Sequence, residues 1–229
     1  MKFVWPRKEI LAVSLLGNAG ILLTGILAGF SAPGFVMLYW LEGLPIGGFA
    51  IARMLLVDPA PTLAVRSFWL DAVRGHGAPG IGIFRQYRRI VLICFILPYI
   101  LYNAIFGLIA LVFNAGYSQW GPGDAATSTQ ISLGMGGLVF VLLVAQHAAL
   151  FLINFVFGEE RYKASLQKIS LEPFLRLSYL PPMMVGCYLA VYFLGDGLVP
   201  LAILIFIRIA WDLALDSWLN NPRYWYKPI

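Results

Sequence analysis

Most of the chain is taken up by six apolar runs, at 10–30, 34–57, 90–113, 131–157, 177–194 and 197–218, joined by connections of which 58–89 is the longest. A bilayer is crossed by a helix of about 20 predominantly apolar residues, with a range of roughly 17–25. Each run meets that length, and a continuous apolar run in hydrocarbon must satisfy its backbone within its own helix. The second run organises the rest. It carries Glu42 and Arg53 with Pro45 between them. At about 100° per residue, the steps from Glu42 to Arg53 return both to one helix face. An ionisable group in hydrocarbon costs at least a few kcal/mol, so that face must look onto other helices. The fifth run holds Pro181-Pro182, which predicts a kink.

Composition agrees with the pattern. Of 229 residues, 60% are hydrophobic and 12% charged, whereas soluble domains carry about 25% charged residues. Charge placement is more informative than the net +5. Fourteen of the sixteen Lys and Arg residues fall before run one, between runs two and three, between four and five, and after six. The remaining two, Arg53 and Arg208, lie inside runs, and Asp124 and Asp196 occupy two of the opposite loops. The positive-inside rule then puts both termini in the cytoplasm. The basic N-terminus resembles a signal peptide, but its apolar run exceeds the 7–15 residues of such a region, so it reads as a retained span. Cys94 and Cys187 both fall in apolar runs and read as buried thiols.

Between runs two and three, Thr62 follows Pro61 and is placed to cap a short interfacial helix reaching Val73. Residues 75–80 read as a Gly-rich loop, 114–130 as an exterior loop, and 159–172 as a charged cytoplasmic segment. The prediction is therefore an all-α, single-domain bundle over 1–229, with six transmembrane helices and one interfacial helix.

Polar residues inside the runs sort by depth at 1.5 Å rise per residue. Glu42, Asn103 and Arg208 come to roughly 12–16 Å from the outer ends, which predicts a Glu42–Arg208 pair with Asn103 or Tyr99 beside it. His147 and Asp212 form a deeper layer at roughly 22–24 Å. Arg53 and Asp216 share a level nearer the cytoplasm. Buried pairs of this kind commonly serve only to fix helix register. His147, Glu42 and Asp212 form a weak metal-ligand set, because the second histidine, His76, lies in a loop. Small-residue stripes at Gly43/Gly47 and Gly25/Gly29 suggest close helix packing. Pro45 cannot donate to the Leu41 carbonyl, so the helix is expected to kink beside Glu42. Trp218, Tyr224, Trp225 and Tyr226 read as an interfacial aromatic belt.

Several motifs together resemble a known family. Tyr39-Trp40-Leu41-Glu42 followed by Ile46-Gly47, Gln146-His147 with Asn154, Gly158-Glu159-Glu160-Arg161-Tyr162, Glu172-Pro173-Phe174-Leu175-Arg176 and Arg208 with Asp212 are similar to the pattern of domain of unknown function 6498. The resemblance implies an uncharacterised multi-pass membrane protein of bacteria or archaea and names no reaction. It also implies histidines in the third run and after the last-run aspartate. Here those places hold Tyr99, Asn103, Phe106 and Asp216, so a metal bound by such histidines would be lost.

No nucleophile–base set, phosphate loop or CxxC is present, and no catalytic residue is predicted. No cofactor is predicted, and lipid or pigment contact stays open. The basic residues flank the membrane, so nucleic acid is not an expected partner. The leading reading is a non-catalytic accessory or structural subunit of a larger assembly, for example a respiratory or photosynthetic complex in the inner membrane, surrounded by lipids and protein partners. The alternatives are a small ion, proton or solute transporter using Glu42, Arg208, His147 and Asp212, and an intramembrane metal or haem protein at His147.

Overall fold

The structure is a computed structural model and describes residues 8–27, 29, 31–64, 80–120, 133–195 and 198–219. Every regular element among them is helical. In chain order these are α1 (Lys8–Leu27), α2 (Ala32–Leu41), α3 (Gly43–Leu56), α4 (Pro59–Ala64), α5 (Gly80–Trp120), α6 (Leu133–Phe151), α7 (Glu160–Lys163), α8 (Leu166–Leu177), α9 (Leu180–Leu194) and α10 (Leu198–Leu219). A π-helical turn, Leu152–Val156, prolongs α6. Among the described residues, four stretches are long and apolar enough to cross a membrane: Ala32–Leu56, Gly82–Val112, Gly136–Val156 and Leu166–Leu194. The first and last predicted runs correspond to α1 and α10.

The α2–α3 pair is the hub. It contacts α5, α6, α8, α9 and α10, and it is the most buried of the four membrane-length stretches. Ser31 starts it, its hydroxyl accepting from the Gly34 N–H with Pro33 in the first turn. The break between α2 and α3 is a single residue, Glu42, whose backbone stays in the right-handed region. Its N–H donates to Leu38 and its carbonyl accepts from Ile46. The interruption follows from Pro45, which has no N–H to offer the preceding turn. Pro45 thereby leaves the Leu41 carbonyl, beside Glu42, without its N–H.

Small residues let α5 approach. The Tyr99 hydroxyl donates to the Gly43 carbonyl at 2.7 Å, and the Trp40 indole donates to the Asn103 carbonyl at 2.8 Å. Phe174 of α8 then meets Phe95, Tyr99 and Tyr102 edge-on, with centroids 5.4–5.8 Å apart. That edge-to-face arrangement suits the ring quadrupoles.

Several expectations are corrected. Thr62 does not begin a helix. The Asp58 carboxylate accepts from the Ala60 N–H and starts α4 at Pro59, while the Thr62 hydroxyl accepts from Leu166 at the start of α8. An Asp before Pro is the stronger start signal. Residues 65–79, with most of the predicted interfacial helix, the Gly-rich loop and His76, lie outside the described residues. The stretch from Asn114 is helical to Trp120, because the breaking pair is Gly121-Pro122. Pro181 and Pro182 sit in the first turn of α9, where no N–H is needed, so the bend falls at Ser178–Tyr179. Residues 166–172 are not a solvated connection, for α8 packs on α3, α5 and α10 with Glu172 buried. Gly29 lies beyond the end of α1 at φ +67° and serves a turn, not a packing stripe; the Gly25 side of that stripe is outside the description. Cys187 is buried, but Cys94 is exposed on α5. Of the aromatic belt, Tyr224, Trp225 and Tyr226 lie outside the described residues.

A Cβ on Gly47 would lie 2.2 Å from the Tyr99 ring, and one on Gly158 would lie 2.3 Å from the Asn154 carbonyl oxygen. One on Gly48 would meet nothing within 4 Å. Gly47→Leu and Gly158→Ala are each expected to cost about 1–3 kcal/mol by overpacking. Gly48→Ala should be neutral, or stabilising by up to about 1 kcal/mol through helix propensity. Thermal unfolding of the three variants in detergent tests this, and equal melting of all three would remove the close-approach explanation.

Candidate functional site: a buried ion-pair ladder

Glu42 is 0% exposed at the α2–α3 break. A lone carboxylate there could not stay ionised, because its desolvation cost far exceeds any local gain. Arg208, 3% exposed on α10, supplies the counter-charge. Its Nη1 donates to Oε2 of Glu42 and its Nη2 to Oε1, a bidentate fork. Nη1 also donates to the Tyr179 hydroxyl at 2.9 Å, and that hydroxyl donates to Glu42 at 3.3 Å. The guanidinium lies 4.7 Å from the Tyr39 ring centre and 5.0 Å from that of Tyr179. Cation–π attraction is strongest in such water-free places.

Both ends of the pair continue. His147 Nε2 stands 2.6 Å from Glu42 Oε1. Asp212, one helical turn after Arg208, accepts from its Nε at 3.2 Å. Arg176 of α8 lies 3.8 Å from Asp212 and donates from Nε to Glu172 at 2.9 Å. The other Glu172 oxygen accepts from Arg53 at 2.7 Å, and Arg53 also donates to Glu160 at 2.6 Å. The result is an unbroken alternation: His147, Glu42, Arg208, Asp212, Arg176, Glu172, Arg53, Glu160. It ties together α6, α2–α3, α10, α8 and α7. Side-chain exposure is none at Glu42, 7% at Glu172 and 26% at Glu160.

The structure thus brings Glu42, His147, Arg208 and Asp212 together and puts Arg53 further along the same chain of contacts. The predicted separation into layers is corrected. His147 reaches Glu42, and Asp212 turns to Arg208 and Arg176. Residue counting gives Cα depth only, and long side chains on tilted helices reach past it. Asn103 is not part of the ladder; its amide donates to the Tyr99 carbonyl one turn back. The partners at Arg53 are Glu160 and Glu172, and the Asp216 side chain lies outside the description. Sequence reasoning named Glu160, Glu172 and Arg176 only within the family motifs, not as members of the buried charge network, and did not name Tyr179. One signal was available, the i,i+4 spacing of Glu172 and Arg176.

Among the described residues, no group of three or more His, Cys, Asp or Glu side chains is placed to hold a metal. Of His147, Glu42 and Asp212, the last faces the arginines Arg208 and Arg176. The ladder is also a poor proton wire. Arginine does not release its proton in proteins, and an arginine separates each acid from the next.

The sequence profile of DUF6498, a family of unknown function, matches residues 6–223. The chain belongs to DUF6498. The matched stretch contains all eight ladder residues. No curated protein and no solved structure matches this DUF6498 chain.

Removing one member of a buried pair strands the other, at a cost of about 3–5 kcal/mol, whereas replacing both with apolar residues of similar volume is often neutral. Glu42→Gln should therefore lower stability by about that amount, and the double variant Glu42→Met, Arg208→Met should recover most of it. Glu160→Gln, at the wetter end, should cost about 1 kcal/mol or less. Denaturation in detergent checks the order, and a Glu160 effect as large as that of Glu42 would contradict the difference in burial between them.

Proposed function

We propose that this DUF6498 chain is a six-span protein of the bacterial or archaeal cytoplasmic membrane, with both termini on the cytoplasmic side, acting as a non-catalytic accessory or structural subunit of a larger membrane assembly. The supporting observation is that each carboxylate of the ladder is already engaged by an arginine. An acid so held offers no free charge to a passing cation, and the arginines pass no proton onward. The ladder is then a clasp that fixes helix register. The six-span count adds α1 and α10 to the four membrane-length stretches, and the orientation rests on the placement of Lys and Arg. Outside the clasp, the bundle presents large apolar side chains such as Leu97, Leu108, Phe193 and Phe206. Such a surface suits acyl chains and the apolar faces of neighbouring membrane proteins.

Gentle native purification followed by mass spectrometry tests the subunit role. Co-recovery of defined membrane subunits is the expected result, and recovery as a lone monomer would overturn it. Purified protein in vesicles should give no proton or solute flux. If wild-type vesicles conduct and Glu42→Gln vesicles do not, the ladder is a transport path and the clasp reading falls. A reporter fused after Ile229 should be active in the cytoplasm, and periplasmic activity would reverse the topology.

A further inference from the structure

The arginines of this chain divide into two kinds. Arg53, Arg176 and Arg208 are held by acids in the ladder. Arg88 turns inward on α5, donating to the Leu55 carbonyl at 2.9 Å at the end of α3, with its guanidinium 5.6 Å from the Phe84 ring centre. Arg85 and Arg89 are different. Both are exposed on α5, and neither has a hydrogen-bond or ion-pair partner among the described residues. They stand one turn apart on the same face, where like charges repel. Two adjacent guanidinium groups with no acid on them among the described residues make a cationic fork.

What lies above them on α5 indicates what the fork would hold. Ile93, Leu97 and Ile100 are 61%, 66% and 61% exposed. At about 100° per residue these positions continue the stripe begun by Arg85 and Arg89. From Arg89 to Ile100 the helix climbs roughly 17 Å, close to one leaflet of a hydrocarbon core about 30 Å thick. A cationic fork at the foot of an apolar strip of leaflet length has the outline of a phospholipid. We propose that Arg85 and Arg89 hold the phosphate of an anionic phospholipid of the inner leaflet, with an acyl chain lying along Ile93, Leu97 and Ile100. The proposal rests on the membrane-spanning reading and its orientation, which the experiment checks separately.

The full-length protein is purified in detergent, supplied with phosphatidylglycerol and phosphatidylcholine, and examined by native mass spectrometry. Wild type should retain phosphatidylglycerol in preference. Arg85→Gln together with Arg89→Gln should reduce that preference by about thirty-fold, near a factor of five for each surface charge. Lys163→Gln, which removes a cation from α7, should leave the preference intact. An unchanged preference in the double variant, or an equal loss in the Lys163 variant, would overturn the proposal. Recovery of wild type from the soluble fraction would instead overturn the membrane reading on which it stands. Native-like helical content of the double variant by circular dichroism separates lost binding from lost folding; should it unfold, Arg89→Gln alone, expected to lose about five-fold, decides the question in its place.

Discussion

Two opposite charges removed from water must neutralise each other, and the contact between Glu42 and Arg208 is where this chain meets that demand. Each group alone would carry a desolvation cost of several kcal/mol. Together they form a two-point fork roofed by Tyr39 and Tyr179, which leaves little room for water. The geometry requires α10 to stand against α2 at one height and rotation. It also requires α9 beside them, because the Tyr179 hydroxyl touches both charges. The break at Glu42 belongs to the same constraint, since a proline three residues on opens the backbone where the acid must be aimed.

From that point the other charged groups follow in alternation, acid and base, to the wetter end at Glu160. Arginine suits the role because its planar fork serves two acids at once, as Arg53 does with Glu160 and Glu172 and Arg208 does with Glu42 and Asp212. The same permanence of charge makes the ladder rigid in chemistry as well as in space. It orders helices through arginines that keep their charge. A scaffold reading accounts for this economy better than a conducting path.

The outer surface obeys a complementary logic. The ladder arginines are neutralised by the protein's own acids, whereas Arg85 and Arg89 are exposed on α5 with no acid on them among the described residues. Between them Arg88 completes the carboxyl end of α3, where the last carbonyls lack helical partners. Three basic residues within one stretch of sequence thus have two separate settings, decided by which side of α5 each occupies.

Periodicity and charge counting were enough for the helical class, the approximate helix limits, and the inward face of the second run, because these depend on local composition and on the cost of charge in hydrocarbon. The Glu42–Arg208 contact was also legible, since two lone opposite charges in apolar runs have few alternatives. The enlistment of Glu160, Glu172 and Arg176 was not. Their segment is locally amphipathic and reads as solvated, and only the packing of α8 against α3 and α10 carries Glu172 into the interior. The choice of His147 for Glu42, and of Arg176 for Asp212, likewise belonged to the tertiary structure. Helix tilt and side-chain reach set those distances, and neither quantity is written in the order of residues along one helix.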